Sequence, residues 1–234
     1  MTNTFDPNFC FPVKDLENDW IKLTPFNPAI HGDWYWENTK DHPEIYKYLP
    51  FGHFESKEEV IGPIFEQRIV PDRAFVVFAA YDKVFESNPT PAGIIGLLDA
   101  SPVNLSVEIG FVVAFPRYQR THLTSNMVGL LLQYCLELPE NGGLGLRRVQ
   151  WLANAQNEAS IKTALRMGFQ HEGVKRWERI VPAAVGKPNT VEKLPREGDP
   201  RRTGLGRHTA VLGLCWDDWE DGTREKVGEL MRPR

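Results

Sequence analysis

The chain has 234 residues, of which 27 are basic and 31 acidic for a formal net charge of −4, and it is 41% hydrophobic, 11% aromatic and 25% charged. A chain of this length forms one large domain or two small ones and buries roughly 70% of the surface its unfolded form exposes, so it needs no disulfide scaffold, and its composition excludes wholesale disorder and fibrous classes. The acidic balance, without a long basic run, removes the electrostatic footprint of a nucleic-acid binder.

The first ten residues, MTNTFDPNFC, lack a basic start followed by an apolar run, so no secretory signal is read there. Residues 20–25 read as a first strand, after an N-terminal extension over 1–19. An aromatic-rich helix follows over 28–40, containing Trp34, Tyr35 and Trp36, and Asp41, Pro43 and Pro50 break the path after it. Ser56 with Glu59 three residues on is a capping-box pattern that opens a second helix. Three β-rich runs, 74–81, 92–98 and 105–114, are separated by turn-rich stretches and read as consecutive antiparallel strands. The first of them is far too short to span a bilayer.

From Leu123 the apolar residues Leu123, Met127, Leu130, Leu131, Tyr134, Cys135 and Leu138 fall on one face of a helix that packs on the sheet. Pro139 and three glycines end it by residue 145; 147–153 is a strand, 157–167 an amphipathic helix closed by Gly168, and 169–181 and 207–216 are the last strands. Between those strands, 182–206 is rich in Pro, Gly, Lys and Arg and reads as an exposed loop, with a lid over a site as the sharper reading. Residues 217–234 are densely charged and read as a surface helix or frayed tail. Cys10, Cys135 and Cys215 contain no CxxC pair, so reduced thiols, a cytoplasmic location and no metal are expected.

Two stretches carry chemistry. Residues 107–134, VEIGFVVAFPRYQRTHLTSNMVGLLLQY, run strand, short polar loop, helix start. Free backbone N–H groups and the helix dipole converge at such a junction and favour an anion such as a pyrophosphate. Residues 154–173, NAQNEASIKTALRMGFQHEG, set an AxNxxS pattern at a helix start before Gly-Phe and Glu-Gly. Together with DHPEIYKYLPFGHFES upstream, these motifs in this order resemble the GNAT superfamily of acyl-CoA-dependent N-acetyltransferases. Within it they are most similar to the ribosomal-protein N-terminal acetyltransferase-like branch, of RimJ/RimL type, and the resemblance spans 20–219 as one domain, with 220–234 as a charged tail.

The resemblance implies a mixed α/β fold, with a central, mostly antiparallel sheet of about seven strands, splayed in the middle, and helices on both faces. It implies acetyl-CoA as co-substrate and places the phosphate loop, Q/RxxGxG/A in the family, on Gln119, Arg120, Thr121, His122, Leu123 and Thr124. The family's glycine falls on His122 and its small residue on Thr124; Arg120 adds charge, and Thr121, Thr124 or Ser125 add hydroxyl donors. Val112 and Ala114 match the strand positions that pair with the pantetheine arm and polarise the thioester carbonyl. Asn157 matches the residue that hydrogen-bonds that arm, and Ser160 the one that protonates the departing thiolate.

Attack of an amine on a thioester needs a base. Glu108, beside the splay, is the first choice, and Glu178, on the following hairpin, the second. The acceptor is a primary amine, on a small molecule or a protein N-terminus. The acidic balance hints at a cationic one, and Trp34, Tyr35 and Trp36 with Tyr48, Phe51 and Phe54 suggest an apolar or aromatic one. Cys215 as an acyl carrier is disfavoured because no histidine adjoins it in sequence. A homodimer through the last strand or the 182–206 arm is a further expectation, and a non-catalytic acyl-CoA-binding protein with the same fold is the alternative reading.

Overall fold

The β-rich runs assemble into one open sheet. In the computed structural model of the chain, which describes residues 5–52, 54–85, 88–181 and 194–232, eight strands lie in the order β1-β2-β3-β4-β5-β6-β8-β7. They are β1 (Leu16–Glu17), β2 (Ile21–Pro25), β3 (Val76–Asp82), β4 (Thr90–Ser101), β5 (Ser106–Ala114), β6 (Arg148–Asn154), β7 (Gln170–Val181) and β8 (Leu205–Cys215). The additional strand relative to the expected seven is β1, two residues paired with Lys22 and Leu23. Every neighbouring pair is antiparallel except β5 and β6, which run parallel.

Helices α1 (Pro28–Thr39), α2 (Lys57–Val60), α3 (Leu123–Leu136), α4 (Glu158–Arg166), α5 (Trp216–Asp218) and α6 (Arg224–Leu230) pack around this sheet. Local chemistry sets their starts. Asn27 accepts from the Ala29 N–H at 3.0 Å and Pro28 opens α1 with its φ already helical. Ser56 accepts from the Glu59 N–H at 3.3 Å, and Glu59 reaches back one residue beyond the cap, to the Glu55 N–H at 2.9 Å. The helix α2 then widens into a π-helical stretch, Ile61–Ile69. The expected apolar face of α3 is buried from Leu123 to Cys135, and Gly168, at φ +99°, turns the chain out of α4. Among the described residues no helix is long and apolar enough to cross a membrane.

The chain ends belong to the core more than their composition indicates. Phe9, Phe11 and Val13 lie against it, and the Tyr134 hydroxyl donates to the Pro12 carbonyl. The stretch read as a surface helix or frayed tail is helical but anchored: Trp219 and Val227 are fully buried, and Asn126 on α3 donates to the Met231 carbonyl at 3.0 Å. Glu137 at the end of α3 receives both the Trp219 indole at 3.1 Å and the Arg224 guanidinium at 2.7 Å. Of the loop expected over 182–206, residues 182–193 lie outside the described residues, and 194–204 form turns that lead into β8.

Candidate active site

The parallel contact between β5 and β6 is brief. It covers Ser106↔Arg148, Val107↔Val149 and Glu108↔Gln150, after which β5 continues to Ala114 and β6 to Asn154 without pairing to each other. A cleft of about 560 Å³ opens beside this divergence. Two features bend β5 away. An extra residue is inserted opposite β4, since Ile94 pairs with Val113 but Gly96 with Gly110, and Phe111 takes the left-handed conformation at φ +50°. Such a bulge re-aims the backbone groups beside it. The bulge also needs Gly93, because a Cβ there would lie 2.2 Å from the Val113 carbonyl oxygen.

The cleft gathers the sequence-read candidates from both strands. Glu108, Val112 and Ala114 line it from β5, Asn157 and Ser160 from the start of α4, and Gln119 and Thr124 from the loop and first turn of α3. Glu108 is 6% exposed, and burial, reinforced by the charge of Asp99, pushes its carboxyl up to about 8, with Arg179 and Arg207 pulling the other way. Asn157 spends its side-chain carbonyl on the Ser160 N–H at 3.2 Å, which leaves its amide NH2 for a ligand. The Ser160 hydroxyl accepts the Trp151 indole N–H at 2.9 Å, which leaves its own proton to be donated. Trp151, not singled out in the sequence, is therefore part of this arrangement.

The phosphate loop is built differently from its sequence pattern. The left-handed position, φ +61°, falls on Arg120, while His122, where the family has glycine, is right-handed at φ −65°. The His122 ring points away from the loop, with Nε2 2.9 Å from the buried Asp82 carboxylate, and Leu123 is fully buried. Arg120, Thr121, His122 and Leu123 do not line the cleft itself. Thr121 donates to the Tyr118 carbonyl and accepts from the Leu123 N–H, and Ser125 accepts from Arg166. Of the expected hydroxyl donors, Thr121 has thus spent its proton, and Thr124 is the one that lines the cleft. Among the described residues the amides of Arg120, Thr121, His122 and Thr124 have no hydrogen-bond partner, which suits an anion at a helix start.

Glu178 does not line the cleft, although its charge reaches Glu108, and its carboxylate accepts from Arg179 Nε at 3.1 Å and Thr209 Oγ1 at 2.8 Å. The aromatic residues divide. Tyr35 is buried against Phe26 and Phe65, Trp34 is half-buried against Phe26 and Phe115, and Tyr48 and Phe51 line the cleft with Phe75 and Phe111. Cys215 lies at the opposite end of β8, paired with Arg148. With Asp217 and Asp218 it forms a group of metal-type donors within 4.8 Å of one another, but Asp218 is occupied by the Cys215 N–H at 3.1 Å and the Gln170 amide at 2.6 Å.

A splayed, mostly antiparallel sheet with a strand–loop–helix junction at its divergence is the architecture of the GNAT fold. The family profile described as the acetyltransferase (GNAT) domain matches residues 21–170, and the chain belongs to that family. Among solved structures it is similar to a GCN5-related N-acetyltransferase from Brucella melitensis, with a TM-score of 0.73 and 23% identity over 94% of this chain and 86% of that one. It is also similar to spermidine N-acetyltransferase from Vibrio cholerae in complex with CoA and spermine, with a TM-score of 0.61 and 14% identity over 87% and 99%. The RimL ribosomal L7/L12 alpha-N-protein acetyltransferase gives a TM-score of 0.64 and 14% identity over 86% and 94%. At these identities the likeness is one of fold. No curated protein matches the chain.

Proposed function

We propose that the protein transfers an acetyl group from acetyl-CoA to a primary amine by direct attack in a ternary complex, within the RimJ/RimL-like part of the family. Acetyl-CoA supplies a thioester whose carbonyl carbon accepts the amine nitrogen and whose C–S bond then breaks. The free edge of β5 beyond Glu108 accommodates the pantetheine arm, with Val112 and Ala114 offering backbone groups and Asn157 its amide. The unpartnered amides before α3 receive the pyrophosphate. Glu108 takes the proton lost by the attacking nitrogen; a carboxyl whose pKa lies near 8 is well matched to that task. Ser160, its oxygen held by Trp151, gives its proton to the departing thiolate.

The observation that carries this reading is that Glu108 and Ser160 line one cleft from opposite sides of the strand divergence. Glu178 is the weaker candidate base because its carboxylate already accepts from Arg179 and Thr209. The non-catalytic alternative rests on the phosphate loop, where Arg120 occupies a left-handed position without glycine. One experiment separates the two: acetyl-CoA is titrated calorimetrically into the protein, then thiol release is followed against amines and N-terminal peptides. Binding with amine-dependent release supports the transferase. Binding without release from any acceptor supports the alternative, and absence of binding overturns both.

A further inference from the structure

Beside Glu108 the cleft holds an arginine whose buried Nε has no partner among the described residues, with Glu178 acting on it only through space. Arg207, near the start of β8, is 5% exposed and lines the cleft. Its Nε is buried and without a hydrogen-bond partner among the described residues. Directly across the hairpin, in register with it, stands a second arginine, Arg179. Their closeness is built into the backbone: between Lys175↔Thr209 and Arg179↔Arg207, three residues of β7 face His208 alone, with Trp177 left-handed at φ +54° and its N–H donating to His208 Nδ1 at 2.9 Å.

Glu178 is bonded to Arg179 and Thr209, not to Arg207. Glu108 is near enough to feel both arginines, but burial holds its carboxyl protonated up to about 8, so around neutral pH it is mostly uncharged and does not neutralise Arg207. An arginine stays charged in the interior, and an unpaired buried charge is strongly unfavourable. The missing partner is an anion of about the size and planarity that a guanidinium fork binds.

We propose that this corner is a carboxylate subsite, in which Arg207, with Arg179 beside it, holds the carboxylate of an amino-acid-like acceptor whose amine is presented to Glu108. The idea rests on the transferase reading and narrows its substrate class. It also departs from the cationic acceptor suggested by the overall charge, because the net charge of a surface does not describe the lining of a cleft. The aromatic wall of Tyr48, Phe51, Phe75 and Phe111 receives an apolar side chain.

The test uses matched ligands, phenylalanine against phenylalaninamide and methionine against methioninamide, titrated calorimetrically into the free and the CoA-saturated protein. The acid form of at least one pair should bind about tenfold or more tightly than its amide, the size of one charge-assisted hydrogen bond. In Arg207→Gln that ratio should collapse to near one, in Arg207→Lys it should shrink while persisting, and acetyl-CoA affinity should be unchanged in both. Arg179→Gln, at a more exposed position, gives a second reading should Arg207→Gln fail to fold, and is expected to reduce the same ratio. Equal binding of acid and amide across the panel, binding of neither, a ratio untouched by both substitutions, or loss of acetyl-CoA binding in Arg207→Gln would each overturn the proposal. Failure of the native protein to bind acetyl-CoA would instead sink the transferase reading, while acid-over-amide binding to the free protein would still report on the arginine corner.

Discussion

The two sides of the cleft are made of different material. On the side proposed for the coenzyme the groups on offer are backbone: the free edge of β5, its bulge at Phe111 and the unpartnered amides at the start of α3. On the side proposed for the acceptor they are side chains, namely Glu108, Arg179, Arg207 and an aromatic wall. Every non-proline residue carries the same N–H and C=O groups, so a backbone site survives substitution as long as its path is kept. If the loop holds the pyrophosphate as proposed, this is why it can carry His122 and Thr124 where the resembled motif has small residues. A side-chain site has no such tolerance, and changes there should strike activity directly.

The sharpest break is expected at Glu108. Glu108→Gln should lower turnover by roughly 10²–10⁴-fold, the range for a lost general base, while acetyl-CoA binding by calorimetry stays as it was. In the native protein kcat/KM should climb with pH and level off above about 8, and that ionisation should vanish from the variant's profile. The same group makes stability pH-dependent. Its folded carboxyl keeps its proton up to about 8, against an ordinary value of 4.5, so its contribution to stability is full below that ordinary value and is lost as pH rises to about 8. Thermal melts should therefore show Glu108→Gln gaining on the native protein between pH 5 and pH 9.

On the other side, a single methyl group at the right point should do what polar substitutions do not. Gly93→Ala would force a Cβ to within 2.2 Å of the Val113 carbonyl oxygen, so either β4 shifts or the bulge is lost. Denaturant melts should report a loss of about 1–3 kcal/mol, as for overpacking, and acetyl-CoA affinity should fall with it. If the affinity is instead preserved, the bulge is not what presents the backbone to the coenzyme.

Trp151→Phe probes the border between the sides, since it keeps a ring in place and removes only the indole N–H that holds Ser160. A drop in kcat of about tenfold with unchanged acetyl-CoA affinity is expected, in line with one hydrogen bond; an unaltered kcat would remove Ser160 as the acid. The smallest effect should come from Arg120→Gly. It relieves a left-handed residue at φ +61° but loosens the unfolded chain, so stability should move by no more than about 1 kcal/mol.

Much of this architecture can be read from local patterns because local patterns cause it. The spacing from Leu123 to Cys135 is a helix face, Asn157 is a cap, and Gly168 is where the helix must end. What escaped has long-range causes. Trp219 and Val227 sit in a stretch so charged that it reads as solvated, yet both are buried by a helix that docks on α3. Arg207 looks like one more basic residue at the end of a Pro- and Gly-rich segment, and only the bulged pairing of β7 with β8 sets it beside Arg179 in the cleft. Trp151 lies in a run that the sequence marks only as a strand; it is buried at 3% exposure, and its indole meets Ser160 only because α4 folds over it. His122, placed in the cradle by a motif for its backbone amide, turns its ring to Asp82, forty residues upstream, which no local pattern signals.

The three residue pairs that join β5 to β6 have a structural consequence of their own. Ladder hydrogen bonding in an ordinary sheet is continuous, so cutting it anywhere leaves orphaned donors and acceptors. In this sheet the ladder stops after Glu108, and the two halves are stitched at one end only, like an unfinished seam. An extended molecule carrying its own amides can take up the open stitches, and in doing so becomes for a time a strand of the protein. The reactant is then also mortar: on the reading proposed above, whatever occupies the seam lies between Glu108 on one half and Ser160 on the other.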